Sequence, residues 1–156
     1  MERRLGNLRR SHGMSVKIMT RSGELADEDS DAFDEVMSSY RLPKDTDEEK
    51  AARRTAIKDA TITATEKPYE TAQLALELLR ILPKLAATGN GNAVSDVGVA
   101  GLLASAACKG ALFNVDINLG GLPDDAAQEI RKIAPKIQKE CRMLSRKVMD
   151  AVRERL

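Results

Sequence analysis

The clearest pattern in the chain lies at its C-terminal end. Ala126, Ile130, Ile133, Ile137, Cys141, Leu144, Val148 and Ala151 recur at spacings of three and four. That period puts all eight on one side of an α-helix. The helix is expected to run from Asp124 to the C-terminus, with Pro135 removing a hydrogen bond or kinking it. A stripe of roughly seven turns needs another long helix to cover it, and a homodimer is one way to supply it.

The rest of the chain also reads as helix. A first helix is expected from about Met14 or Glu24 to Tyr40, broken by RLPKD around Pro43. Thr46 and Glu49 have the spacing of a capping box and open the next helix. That helix is expected to reach about Glu66, to bend or restart at Pro68, and to continue to about Ala87 with a possible kink at Pro83. GNGNAV at 89–94 reads as a loop. Ser95 is the expected N-cap of a helix from Asp96 to about Asn118. FNVDINL at 113–119, the one stretch with some strand character, is assigned to the end of that helix. LGGLP then closes it. The fold class is all-α: a multi-helix bundle with long central helices.

Composition supports this. The chain has 156 residues, 42% hydrophobic and 31% charged, with 3% aromatics and no Trp. One globular domain is expected. Cys108 and Cys141 lie in helical patterns at no metal-binding or disulfide-framework spacing, and read as small buried apolar residues in a reducing compartment. The net charge of +1 is unevenly spread: Arg3, Arg4, Arg9, Arg10, Lys17 and Arg21 face only Glu2 in the first 21 residues. This basic end reads as a poorly ordered, soluble segment, the alternative being contact with nucleic acid or an anionic membrane. Neither partner is expected. Few aromatics leave no stacking platform for single strands. The most apolar window, 97–108, is too short for a membrane span and reads as a core helix. No apolar run follows the basic residues as a secretory signal would require.

Several polar residues stand where apolar ones belong. On the first helix Leu25, Ala32, Phe33, Val36, Met37 and Tyr40 form a stripe, and Asp29 falls inside it, whereas Asp27, Asp31 and Asp34 face solvent. A carboxylate in an apolar stripe must be paired, hydrogen-bonded or shifted in pKa. Asp29 is therefore either a tie between helices or a site carboxylate. On the helix from Asp96, the residues Ala100, Leu103, Ala107 and Gly110 share a face with Asp96, Asn114 and Asn118. Asp96 and Asn114 are 18 residues apart, roughly 27 Å along a helix. They meet in one site only if an antiparallel partner helix brings opposite ends together. Asp96 is otherwise a first-turn acid favoured by the helix dipole, and Asn114 and Asn118 are otherwise C-terminal caps. Lys44 is a solvated loop lysine or an anion contact. His12, the single histidine, is a residue of the basic end. The glycines at 89–101 are followed by no G-K-[ST] and preceded by no strand, which excludes a Walker loop and a dinucleotide fingerprint. No Cys/His metal spacing occurs.

Two segments together carry a resemblance: ADEDSDAFDEVMSSYRLPKDT (26–46) and GNGNAVSDVGVAGLLASAACKGALFNVDINL (89–119). The chain resembles the formiminotetrahydrofolate cyclodeaminase / methenyltetrahydrofolate cyclohydrolase family from about Glu24 to Leu156. The expected division is a basic segment, 1–23, matching the family poorly, and a helical domain, 24–156. The family's P-G-G-G-S-like N-terminal stretch is not found here, so an N-terminally truncated or rewritten member is expected. The resemblance implies an all-α, dimeric, cytoplasmic enzyme acting on a tetrahydrofolate derivative with no metal or prosthetic group. The implied activity is hydrolysis of 5,10-methenyltetrahydrofolate to 10-formyltetrahydrofolate. The alternatives are cyclodeamination of the 5-formimino form, and a catalytically reduced helical dimer that lacks part of the pocket. Asp29 and Asp96 are the implied catalytic carboxylates, Asn92, Asn114 and Asn118 the implied contacts to pterin or amide edges, and Lys44 the implied contact to the folate glutamate.

Overall fold

A computed structural model describes the backbone of residues 2–156 and the side chains of residue 9 and residues 11–156. Four helices follow one another: α1 (Glu2–Ser39), α2 (Asp47–Thr88), α3 (Val94–Gly120) and α4 (Gln128–Arg153). No strand occurs among the described residues. The expected all-α class holds. The long axis of the bundle is α2, which touches each of the other three helices.

The helix α1 starts at Glu2, not at Met14 or Glu24, and no break in it falls at residue 23. The side chains of Arg3, Arg4 and Arg10 lie outside the described residues. The turn after α1 leads to the expected capping box. Thr46 Oγ1 accepts from the Glu49 amide at 3.1 Å, and Glu49 Oε2 accepts from the Thr46 amide at 3.0 Å. Asp47, Glu48 and Glu49 place negative charge at the positive end of the α2 dipole.

Pro68 and Pro83 lie inside α2, and neither divides it. The expected restart at Pro68 is absent because another helix meets the carbonyl it leaves open. A proline cannot donate to the carbonyl four residues earlier, here that of Ala64. Asn118 Nδ2 of α3 donates to Ala64 O instead, at 3.0 Å. The ladder loses a donor but the carbonyl keeps a partner, so the helix runs on.

The start of α3 also differs from expectation. A 3-10 turn at Gly91–Ala93 precedes it, opened by Asn90, whose side chain accepts from the Asn92 amide at 3.1 Å. The N-cap position belongs to Ala93, and Ser95 is already within the first helical turn, exposed and without a capping bond. FNVDINL is helical, as expected.

The expected α4 stripe is the centre of the core. Ala126, Ile130, Ile137, Cys141, Leu144 and Val148 are buried, and Ile133 and Ala151 pack against them. They meet α2 through Leu76, Leu79 and Leu82, and α3 through Ala104, Cys108, Leu112 and Val115. Glycine matters at this contact. A Cβ on Gly98 would lie 3.3 Å from Val152 Cγ1, and one on Gly101 only 2.7 Å from Val148 Cγ1. The Gly98/Gly101 face of α3 is thus the one that lets the α4 backbone close in, while a Cβ on Gly110 would meet nothing within 4 Å.

α4 begins at Gln128 rather than Asp124, because residues 124–127 form a turn that ends with Ala127 in the left-handed region at φ 51°. Arg131 secures that turn. Its Nη2 donates to the Leu119 and Leu122 carbonyls at 2.7 and 3.0 Å, and its Nε to Ala126 O at 3.1 Å. Arg155 does the same for the end of α2, donating to Ala86 O and Gly89 O. Each guanidinium thus meets the carbonyl end of another helix, where a cation is favoured.

Cys108 and Cys141 are free and fully buried, as expected. Burial, reinforced by Cys141, pushes the Cys108 thiol up to about 12. The other face of α3 stays open: Val99, Leu102, Leu103, Phe113 and Ile117 are 55–72% exposed. The stretch Gly91–Gly120 is long and apolar enough to cross a membrane by length and composition, and 44% of its apolar window is buried inside the protein. The apolar stretch outruns the 97–108 window, since Lys109 and Asp116 are the only charges between Val97 and Gly120.

Candidate functional site

The site grows out of how α1 lies on α2. Among the described residues of α1, Ile18, Leu25, Ala32 and Ser39 are the buried ones, each seven positions after the last. A seven-residue repeat keeps one narrow seam on the neighbouring helix. The wider stripe read from sequence is therefore only half covered: Phe33, Met37 and Tyr40 are 61%, 39% and 53% exposed. Asp29 sits beside the seam rather than in it. It is exposed, and the expectation that burial forces it into a pair is corrected.

Beyond the seam, α1, α2 and α3 enclose a cavity of about 530 Å³. Asp29, Asn114 and Asn118 all line it. A smaller compartment of about 260 Å³ adjoins it, and Asp29, Pro68 and Asn114 line both. Three of the six residues singled out from sequence thus meet at one place. Asn118 is held by α2 through Ala64 O, which replaces the expected capping of its own helix end as the role of its amide.

The other three stand elsewhere. Asp96 is exposed in the first turn of α3, and Asn92 in the 3-10 turn before it, at the far end from Asn114. Lys44 is exposed in the turn between α1 and α2. None of the three lines the cavity.

Sequence reading misses Asp34, Thr61 and Pro68, which also line the cavity. Periodicity puts Asp34 on the solvent face, and the splayed seam brings it to the rim. The signal for Pro68 is present, since a proline in mid-helix leaves an unpaired carbonyl that something must meet.

Charge is sharply divided here. Among the described residues no Lys, Arg or His lines the cavity, while Asp29 and Asp34 do. The cations nearby are occupied in a ladder between α1 and α2. Arg21 pairs with Glu70 at 2.7 Å and with Glu24 and Glu28, and Lys67 reaches Glu28 at 2.9 Å. Hydrogen bonds from Arg21, then Lys67, hold the Glu28 carboxyl down at about 2. Donating to Glu70, Glu28 and Glu24 in turn raises the Arg21 guanidinium above its ordinary value. Among the described residues no three His, Cys, Asp or Glu side chains converge as a metal site.

An all-helical domain with an acid- and amide-lined cleft between three long helices is thereby defined. The sequence model of the formiminotransferase-cyclodeaminase family matches residues 5–139, and the chain belongs to that family. It is 40% identical over 138 residues to a methenyltetrahydrofolate cyclohydrolase from Methylorubrum extorquens, covering 88% of this chain and 66% of that protein. It is 32% identical over 145 residues to the pig (Sus scrofa) formimidoyltransferase-cyclodeaminase, covering 92% of this chain and 26% of that one. A crystal structure of formiminotetrahydrofolate cyclodeaminase from Thermotoga maritima superposes with a TM-score of 0.63 at 26% identity, over 85% of this chain and 61% of that chain. The chain thus spans just under two thirds of the cyclohydrolase and about a quarter of the pig protein.

Proposed function

We propose that the chain hydrolyses 5,10-methenyltetrahydrofolate to 10-formyltetrahydrofolate, in a cytoplasmic homodimer. The observation that carries this is the cleft that gathers Asp29, Asn114 and Asn118 with no cation among the described residues of its wall, in a chain 40% identical to a cyclohydrolase. The methenyl carbon sits between two nitrogens and carries positive charge. Carboxylates beside it stabilise that charge and take a proton from the attacking water. Water addition gives a neutral tetrahedral carbinol and one proton, held by Asp29. Returning that proton to N5 breaks the carbon–N5 bond. The carbinol hydroxyl passes its own proton to the freed Asp29 carboxylate, and from there to solvent, as the carbonyl forms, leaving the formyl group on N10. Asn114 and Asn118 offer amide groups to the edge of the heterocycle.

Loss of methenyl absorbance above the spontaneous rate tests the reading. No rate above background in a folded protein would sink it and favour a catalytically reduced helical module. The likeness to proteins named as cyclodeaminases supports a second reaction at the same cleft, ring closure of the 5-formimino form, which the release of ammonia would report.

The open face of α3 supports the homodimer. Val99, Leu103, Phe113 and Ile117 form an apolar band too exposed for a finished surface. Two copies packed antiparallel on that band would bring Asp96 and Asn92 of one toward Asn114 of the other. Lys44 is assigned, on the resemblance alone, to the folate glutamate. Mixing Asp29→Asn and Asp96→Asn chains checks the arrangement, since activity returns in the mixed dimer only if the two acids act across the interface.

A further inference from the structure

Pro68 is buried in the middle of α2 and lines both compartments of the cleft. Because it has no amide hydrogen, the Ala64 carbonyl takes Asn118 Nδ2 as its donor at 3.0 Å. A carbonyl only accepts, so the nitrogen side of the Asn118 amide must face Ala64. The amide flip is thereby fixed, and Oδ1 is the acceptor that Asn118 offers to the cleft. The hydroxyls on the same wall are committed in the same sense. Thr61 Oγ1 donates to Ile57 O at 2.7 Å, and Ser30 Oγ donates to Ala26 O at 3.1 Å. Each has used its single hydrogen and keeps lone pairs. With the carboxylates of Asp29 and Asp34, the wall is rich in acceptors.

We propose that Pro68 is a positioning residue: by freeing the Ala64 carbonyl it locks the Asn118 amide with Oδ1 toward the cleft, which then selects ligands bearing positive charge and N–H donors. The proposal rests on the cleft being the folate site, and it adds a direction to the chemistry there. The methenyl substrate brings a cationic amidinium to this wall. The formyl product has lost that charge and is held less tightly, which favours its release.

Pro68→Ala is the test, because alanine restores the missing amide hydrogen and returns it to Ala64 O. Two readouts are needed: the side-chain amide resonances of Asn118, and the Michaelis parameters for 5,10-methenyltetrahydrofolate. In the wild type, one Asn118 side-chain proton is expected to be shielded from solvent exchange. In Pro68→Ala it is expected to exchange freely, with KM raised about tenfold and kcat changed by less than about twofold. The KM effect is expected to vanish in an Asn118→Ala background, because the two residues act as one unit. A merely structural Pro68 would move only the melting temperature, upward, since alanine is the better helix former. An Asn118 resonance unchanged by Pro68→Ala overturns the positioning claim. A resonance that moves while KM stays, or KM effects that simply add, overturns the selection claim. A wild type without turnover would sink the folate reading and the selection claim with it, while the resonance still decides whether Pro68 sets the amide.

Discussion

α1 and α4 both lie along α2, but they are held in different ways. α4 buries a continuous apolar stripe between α2 and α3, with the exposed Arg80–Glu140 pair as its ionic clamp to α2. α1 buries only about one residue in every seven on its α2 side and adds ion pairs to α2. A closed apolar contact fills its space, as interiors must. A narrow seam backed by charge leaves room beside it. The cleft lies on the α1 side for that reason: the core supplies rigid walls from α2 and α3, and the loosely seated helix supplies the carboxylates.

That contrast separates what mutations should do. Residues beside the seam, on the cleft wall, should alter activity with little effect on folding, and core residues the reverse. The largest effect expected is on turnover. Asp29→Asn removes a carboxylate that is exposed and lines both compartments, so kcat should fall about 10²–10⁴-fold while thermal unfolding stays as in the wild type. Full retained turnover would remove Asp29 from the chemistry.

In the core, Leu79→Ala should cost about 2–5 kcal/mol of stability, because Leu79 is fully buried among α2, α3 and α4. Chemical denaturation measures it. A cost near zero would mean that the core is looser than its packing indicates. Gly101→Ala should cost less, about 1–3 kcal/mol, since the added methyl meets Val148 at 2.7 Å and α3 and α4 must part slightly. The same change at Gly110, which has nothing within 4 Å, should not destabilise the monomer, and the pair of variants separates the inner face of α3 from the outer one.

The smallest effect belongs to the ion ladder, and acid should reveal it. The folded pKa of Glu28 is about 2, below the ordinary 4.5. Its contribution is therefore fully present above pH 4.5 and is lost as pH falls from there toward 2. Amide exchange along α1 should rise through that window, and the rise should shrink in Glu28→Gln. Exposure and salt screening keep the effect modest. Exchange along α4 rising in step with α1 would break the distinction between the two contacts.

How much of this is legible in the sequence follows the same division. The α4 stripe is readable residue by residue, because a helix buried along its whole length shows an unbroken period. The capping box at Thr46 and Glu49 is readable because both partners lie within one turn. The stripe of α1 reads too wide, because periodicity marks the apolar side and not how much of it a neighbour covers. Asp29 stands out for a burial it does not have, yet it lines the cleft. Pro68 reads as a break because its remedy, Asn118, stands 50 positions away.

The sequence by itself determined the helices, the apolar side of α4, the burial of both cysteines and membership of a folate-acting family. All of these depend on contacts within a few turns or on residues matched in order. Only the tertiary structure decided that α1 is held by a narrow seam repeating every seven residues, that Gly98 and Gly101 admit α4, and that Asp29, Asn114 and Asn118 share a cleft while Asp96, Asn92 and Lys44 stand apart. Those outcomes depend on which helix faces meet and how closely. Such facing is set by packing across the whole bundle, where side chains far apart in the chain must satisfy one another's space and hydrogen bonds.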